Sequence, residues 1–186
     1  MDKHKTWVIN SEKQILSTRI FDIFSLDCYL PSKDVKNDFI SIRTNDWVNT
    51  FALDEDGKVL LVKQHRLGKN LVTVEVPAGA INDNEPPEVA ALRELEEETG
   101  HVPGKLVLLR SINVNPAIQN NRCHFFLALD CKKVKEPVLD PTEELELVLF
   151  EKEEVFNAIF ETDLIENSVT LMSIMLAKEY LARKIE

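Results

Sequence analysis

Apolar and polar residues alternate along much of the first half of the chain, and short turn-forming runs divide the alternating stretches. Residues 19–29 (RIFDIFSLDCY) mix β-branched and aromatic residues with polar ones and read as a strand. A run of turn residues follows, and residues 39–44 (FISIRT) alternate again. A lone hairpin is marginal in water, so this pair must pack on the rest of the chain or on a second subunit. Residues 46–54 (DWVNTFALD) give a third strand, the EDG at 55–57 a tight turn, and residues 58–66 (KVLLVKQHR) its hairpin partner. Residues 71–79 (LVTVEVPAG) make a further strand that ends at Pro77 and Gly79. The period then changes. Val89, Ala90, Leu92 and Leu95 are spaced as the apolar stripe of a helix. Pro86 and Pro87 suit its first turn, and Gly100 is a natural stop. Residues 106–114, 122–130 and 144–151 read as strands, with a polar loop (NPAIQNN) between the first two. Helices over 153–160 and 168–182 close the chain. Many strands and few helices, out of strict βαβ order, predict an α+β sandwich with helices flanking a mixed sheet.

Composition narrows the function classes. The 186 residues carry a net charge of −10, with 44% apolar and 29% charged residues, which fits one globular domain with a sizeable core. The acidic balance argues against nonspecific binding to nucleic acid or to a membrane surface. It leaves room for an anionic substrate held through metal ions. Cys28, Cys123 and Cys131 form no CxxC pair, so they read as buried small hydrophobes in a reducing cytoplasm. The polar N-terminus has no signal-peptide apolar region, and no apolar run approaches the roughly 20 residues that span a bilayer.

The stretch from Gly79 to His101 breaks local rules. Glu94, Glu96, Glu97 and Glu98 crowd the last turns of the helix, where the macrodipole is already negative and like charges four apart repel. At 100° per residue, Glu98 lies about 40° from Glu94 and Glu97 about 60° on the other side, so the three share one face. Leu92 and Leu95 point toward the core, Glu96 is turned off the acidic face into solvent, and Arg93 is placed to pair with Glu97. Clustered carboxylates are hard oxygen ligands suited to Mg²⁺ or Mn²⁺, and they imply metal-assisted hydrolysis of a phosphoanhydride. A solvated acidic surface is the commoner explanation of a Glu-rich helix, but it leaves the Gly79 turn and the Glu85, Arg93 and Gly100 spacings unexplained.

Those spacings carry a resemblance. Gly79, Glu85, Arg93, Glu94, Leu95, Glu97, Glu98 and Gly100 match the Nudix hydrolase box, with His101 departing in the final apolar slot. DWV at 46–48, QHR at 64–66 and EVPAG at 75–79 resemble the branch that hydrolyses ADP-ribose and other nucleoside diphosphate sugars. The resemblance implies an α/β/α sandwich with a mixed sheet over residues 46–186. An antiparallel strand region over residues 1–45 would precede it and form a homodimer. It implies Glu94, Glu97, Glu98 and the Ala78 carbonyl as metal ligands, Glu85 as support for the loop and helix start, and Arg66 on the substrate diphosphate. Pro116 lies 16 residues past Gly100, as in that branch, although its NPA setting departs from the usual SPG. Glu143, then Glu144, would assist the attacking water, alongside Glu97 and Glu98. Trp47 and Trp7 are candidates to stack on a base, and Gln119, Asn120 and Asn121 to hydrogen-bond a sugar or base. His65 and His124 read as structural. The expected reaction gives a nucleoside monophosphate and a sugar phosphate. The rivals are hydrolysis of GDP-mannose, UDP-sugars or dinucleoside polyphosphates, and a nucleotide-sensing module without catalysis.

Overall fold

The computed structural model describes residues 6–161 and 164–183. The chain falls into two compact units. One gathers the residues up to Asp46 together with Asn113–Arg122, and the other holds Trp47–Ile112 and Cys123 onward.

The first unit is built on an antiparallel sheet of β1 (Val8–Ser17), β2 (Asp22–Leu30) and β3 (Val35–Arg43), in the order β1-β2-β3. The expected hairpin is therefore β2 and β3, and β1 is a strand that hydrophobic patterning missed. The sequence of β1, VINSEKQILS, is exposed throughout, so no buried face imposed alternation on it. The strand read at 19–29 starts later, because Thr18 caps a turn with Phe21. The 113–122 segment belongs to the same unit. Ile42 N–H donates to the Ile118 carbonyl at 2.7 Å, Asn120 N–H to the Ile42 carbonyl at 3.2 Å, and Thr44 N–H to Asn120 Oδ1 at 3.1 Å.

The second unit is a mixed sheet between helices. Its strands are β4 (Trp47–Asp54), β5 (Val59–Arg66), β6 (Leu71–Glu75), β7 (Ala78–Ala80), β8 (His101–Val102), β9 (Lys105–Asn113), β10 (Arg122–Lys133) and β11 (Leu145–Phe150). The sheet path runs β11-β5-β4-β10-β8, with β4 and β10 parallel. β6 pairs with β5, β7 with β4, and β9 with β10. The single strand expected over residues 71–79 is thus two. Pro77 has no N–H for a ladder, and the chain changes partner there from β5 to β4.

Period-two alternation sorts the core. Phe51 and Leu53 of β4 face Val155, Phe156, Ile174 and Ala177 of α2 (Lys152–Glu161) and α3 (Ser168–Ala182). Val48 and Ala52, one residue out of phase, face the cluster of α1 (Pro87–Thr99), where Ala90, Ala91 and Leu95 are fully buried. Helices on both faces of a mixed sheet make the expected α/β/α sandwich. The stripe read for α1 holds at Ala90 and Leu95, both fully buried, and is corrected at Val89, 50% exposed, and Leu92, 40% exposed, with Ala91 buried in their place. Small residues let the helix lie close to the sheet, which brings its acidic face down onto β7. Among the described residues no helix is long and apolar enough to cross a membrane.

Candidate active site

α1 begins after Pro86, with Pro87 in the first turn and no side-chain cap. It ends at Gly100, whose φ of 73° is left-handed and whose N–H bonds the Glu96 carbonyl at 2.9 Å. Residues 134–138 then close over the helix end. Val138 N–H donates to the Glu97 carbonyl at 2.8 Å, Val134 N–H to the Gly100 carbonyl at 2.9 Å, and Lys135 Nζ pairs with Glu96 at 2.8 Å. Glu96 is therefore ion-paired and only partly solvated. A Cβ on Gly100 would meet the Lys135 carbonyl, so both the backbone angle and the space demand glycine there.

Arg93 is the hub of the acidic face. Its Nε and Nη2 each reach Glu85 at 2.9 Å, Nη1 reaches Glu94 at 2.7 Å and Glu97 at 3.2 Å, and Nη2 also donates to the Ala80 carbonyl at 3.1 Å. The spacing argument found only the Glu97 contact. Glu85 in turn accepts from Asn82 N–H at 2.9 Å, which ties the loop to the helix as expected. The Arg93 hydrogen bonds, outweighing partial burial, hold the Glu85 carboxyl down at about 2. The same contacts keep Arg93 charged at any working pH.

Glu98 is different. It is 7% exposed and takes one hydrogen bond, from Ala78 N–H at 3.0 Å. None of the ion pairs among the described residues includes it. Burial pushes its carboxyl well above the usual range, the charges of Glu94 and Glu143 add to the rise, and the Ala78 N–H and the Arg66 charge offset part of it. Burial likewise raises Glu94, against the pull of Arg93 and with the push of Glu97 and Glu143. Gly79 is where Glu94 sits against the strand: a Cβ there would collide with the Glu94 carboxylate.

This donor set fits a hard divalent cation. Buried carboxylates whose charges repel one another, beside exposed strand-end backbone, are what such an ion neutralises. Among the described residues no three acidic, histidine or cysteine side chains already converge on one point. Arg93 holds Glu94 and Glu97, and Glu97 is about half exposed.

Beside Ala78 and Gly79 opens a cavity of about 300 Å³ lined by Trp47, Asn49, Arg66, Glu75, Asn167 and Val169, among others. Trp47 and Arg66 are thus brought to one site. Asn49 is 3% exposed, and its Oδ1 has no partner. Arg66 is gripped by Glu75, from Nε at 2.8 Å and Nη2 at 2.6 Å. Burial pushes Glu75 up, but hydrogen bonds from Arg66 and Thr73, the Arg66 charge and the nearby Asn167 amide hold it below the usual carboxylate range. Sequence reasoning gave Glu75 and Asn167 no role. The signal for Asn167 was local and legible, an Asn ahead of an apolar helix, and it is indeed the α3 N-cap.

Of the two late glutamates, Glu143 is the one whose charge is felt at Glu94, Glu98 and Arg66. Both are exposed, on the turn before β11. Pro116 and Trp7 lie in the first unit, on a groove with Leu26, Phe39, Ile40 and Ile118. Trp7 packs edge-on to Phe39, with ring centroids 4.9 Å apart. Gln119 and Asn120 are taken up in the backbone and side-chain bonds of that loop, and Asn121 is buried. His65 bonds Asn70, His124 bonds Ser111, and His101 is buried against the Thr99 carbonyl, so the odd residue of the box packs without disturbing it. All three cysteines are buried, and none is in a disulfide.

The fold and this acidic helix define a class, and the match to a family model makes it explicit: residues 44–168 match the NUDIX domain, and the chain belongs to the Nudix family. Its relatives sharpen the placement. The chain is 32% identical to an ADP-ribose pyrophosphatase of Bacillus subtilis, over 80% of this chain and 85% of that protein. It is 29% identical to a methanol dehydrogenase activator of Bacillus methanolicus, over 86% of each. A crystal structure of an ADP compounds hydrolase superposes with a TM-score of 0.86 over 97% of this chain and 96% of that one, at 20% identity, which confirms the fold.

Proposed function

We propose that this chain is a Mg²⁺- or Mn²⁺-dependent hydrolase of ADP-ribose or a related nucleoside diphosphate sugar, yielding a nucleoside monophosphate and a sugar phosphate. Hydrolysis of a nucleoside diphosphate sugar by a Nudix enzyme is the activity that the family and the Bacillus subtilis relative support. The observation that carries the reading is Glu98, a buried carboxylate with neighbouring negative charge and, among the described residues, no ion pair of its own. A non-catalytic nucleotide sensor has no use for so costly a group.

Glu94, Glu97, Glu98 and the Ala78 carbonyl would hold the cation. When bound, it neutralises phosphate charge and makes a water acidic enough to attack at neutral pH. Arg66 presents a planar guanidinium to the diphosphate. Trp47 offers the ring face of the adjoining cavity to a base or sugar. Glu143 takes the proton of the attacking water in preference to Glu144, because its charge already reaches Glu98. The Pro116 loop would contribute to the choice of substrate.

The chain acts as a homodimer joined through the strand region of residues 1–45. Ile9, Ile15, Leu16, Phe39 and Ile40 there are all exposed, apolar side chains that a second subunit would cover. Three buried cysteines with no disulfide among them support a cytoplasmic setting. Nucleic acid and membrane have no place in this reading, since the chain carries a net charge of −10.

The test is product release from ADP-ribose, GDP-mannose, UDP-glucose and diadenosine polyphosphates, each with Mg²⁺ and with chelator. ADP-ribose should be cleaved fastest, to AMP and ribose 5-phosphate, and only with the metal. Equal inertness toward all of them with Mg²⁺ present would leave the sensor reading standing.

A further inference from the structure

We propose, on the reading of the chain as a nucleoside diphosphate sugar hydrolase, that the substrate straddles Arg66. Its base enters the cavity beside Trp47, where Asn49 reads it, and its terminal sugar enters a second cavity that shares the same guanidinium.

The two cavities have a common wall and different linings. Arg66 and Glu75 line both. Arg66 spends its Nε–Nη2 edge on Glu75, at 2.8 and 2.6 Å, so a side chain that is 46% exposed is held at the boundary with Nη1 outside the fork. A diphosphate on Arg66 therefore meets both cavities, and the two groups it joins need not share one. At about 300 and about 710 Å³, each has the size of a small-ligand site.

The first cavity suits a base. Trp47 and Asn49 stand two apart on β4, so they share a face at a spacing of roughly 7 Å. That face is turned away from α1, because Val48 between them pairs with Gly79, the position where a Cβ would strike Glu94. Val169 and Ala80 add apolar lining. Asn49 is buried, its Nδ2 donates to Cys123 Sγ at 3.0 Å, and its Oδ1 has no partner. The bond to Cys123 decides which end of the amide is spent. What remains is a carbonyl acceptor next to an aromatic face. The phosphates have no proton to give it, whereas the exocyclic amine of a base does, and a ring stacked on Trp47 turns its edge toward Asn49. An unpaired buried acceptor is costly, and a ligand N–H removes that cost.

The second cavity suits a sugar. Among the described residues no aromatic side chain lines it, so a planar base has nothing to stack on. Lys69, Thr73, Glu166 and Ser168 offer donors and acceptors together, which is what a polyhydroxyl group needs. A carboxylate accepting from ribose hydroxyls is also how dinucleotide sites hold that sugar. The larger volume admits a hexose as well as a pentose.

The experiment compares three substrates with Mg²⁺: ADP-ribose, IDP-ribose, in which a 6-oxo group replaces the amine, and ADP-glucose. They are given to wild type, Asn49→Leu, Asn49→Ser, Lys69→Met and Glu166→Met. The readouts are two ratios of kcat/KM, one for the base and one for the sugar, because a ratio cancels any loss of folded enzyme. Wild type should prefer ADP-ribose to IDP-ribose roughly tenfold, the worth of one hydrogen bond. Either Asn49 variant should bring that ratio to about one and leave the ADP-ribose to ADP-glucose ratio within about twofold. Lys69→Met and Glu166→Met should do the converse, moving the sugar ratio about threefold and the base ratio hardly at all, a small effect because both residues are exposed. Equal use of ADP-ribose and IDP-ribose by wild type, or a base ratio unmoved in the Asn49 variants, overturns the assignment of the first cavity. A preference for IDP-ribose would show the amide presenting its N–H and overturns it too. A sugar ratio unmoved in both Lys69→Met and Glu166→Met overturns the assignment of the second. Failure of wild type to cleave any of the three removes the hydrolase reading, and the proposal with it.

Discussion

The two ends of the acidic face of α1 are built in opposite ways. At the Arg93 end every carboxylate has a cation: Glu85, Glu94 and Glu97 all touch one guanidinium, and Glu85 titrates near 2. At the Glu98 end a more deeply buried carboxylate has a single backbone N–H and is pushed in the other direction. The helix is the same and the residue type is the same. What differs is compensation. The Arg93 end stabilises the loop and helix start, and the Glu98 end holds a buried carboxylate that a bound cation, or failing that a proton, must neutralise. Uncompensated burial of this kind marks a site and not a scaffold.

The contrast can be broken at each end. Exchanging the charge at Glu98 should cost activity and spare the fold. Glu98→Gln should lower kcat roughly a thousandfold, within the range of acid–base and metal-ligand losses. Its melting temperature without metal should be equal to or above the wild-type value, because a buried charge has gone. At the other end, Arg93→Met should cost about 3 kcal/mol in chemical denaturation, since it strands two largely buried carboxylates. That is the low end of the usual range, because Arg93 is itself 26% exposed.

Smaller effects sharpen the same division. Gly79→Ala should fold with a melting temperature close to wild type while displacing the Glu94 carboxylate it would strike, lowering kcat about ten- to a hundredfold. Gly100→Ala should do the reverse, costing about 1–3 kcal/mol of stability through its left-handed φ and the Lys135 carbonyl. The smallest effect is in pH. The folded-state pKa of Glu85 lies below its unfolded value, so its contribution is complete above the unfolded pKa near 4.5 and is lost as pH falls toward 2. Denaturation midpoints of wild type and Glu85→Gln should therefore converge between pH 4.5 and 2.

Much of this was legible because the determinants are local. The three glutamates, Arg93 and Gly100 fall within one helix, where a fixed 100° per residue turns spacing into geometry. β4 and β10 were legible as strands because each is an apolar run bounded by turn or loop residues. The failures are those of long-range context. Val89 and Leu92 fit a helical stripe, but the sheet takes Ala90, Ala91 and Leu95. β1 has no buried face to write a pattern into its residues. Arg93 reaches Glu85 only because the loop folds back beside the helix.

The measurement that tests the central contrast most directly is turnover of ADP-ribose by Glu98→Gln, with and without Mg²⁺, in protein shown by circular dichroism to be folded. A folded variant that has lost roughly three orders of magnitude in kcat, beside a wild type that falls silent in chelator, is the predicted result. A folded Glu98→Gln protein that cleaves ADP-ribose at the wild-type rate would contradict it.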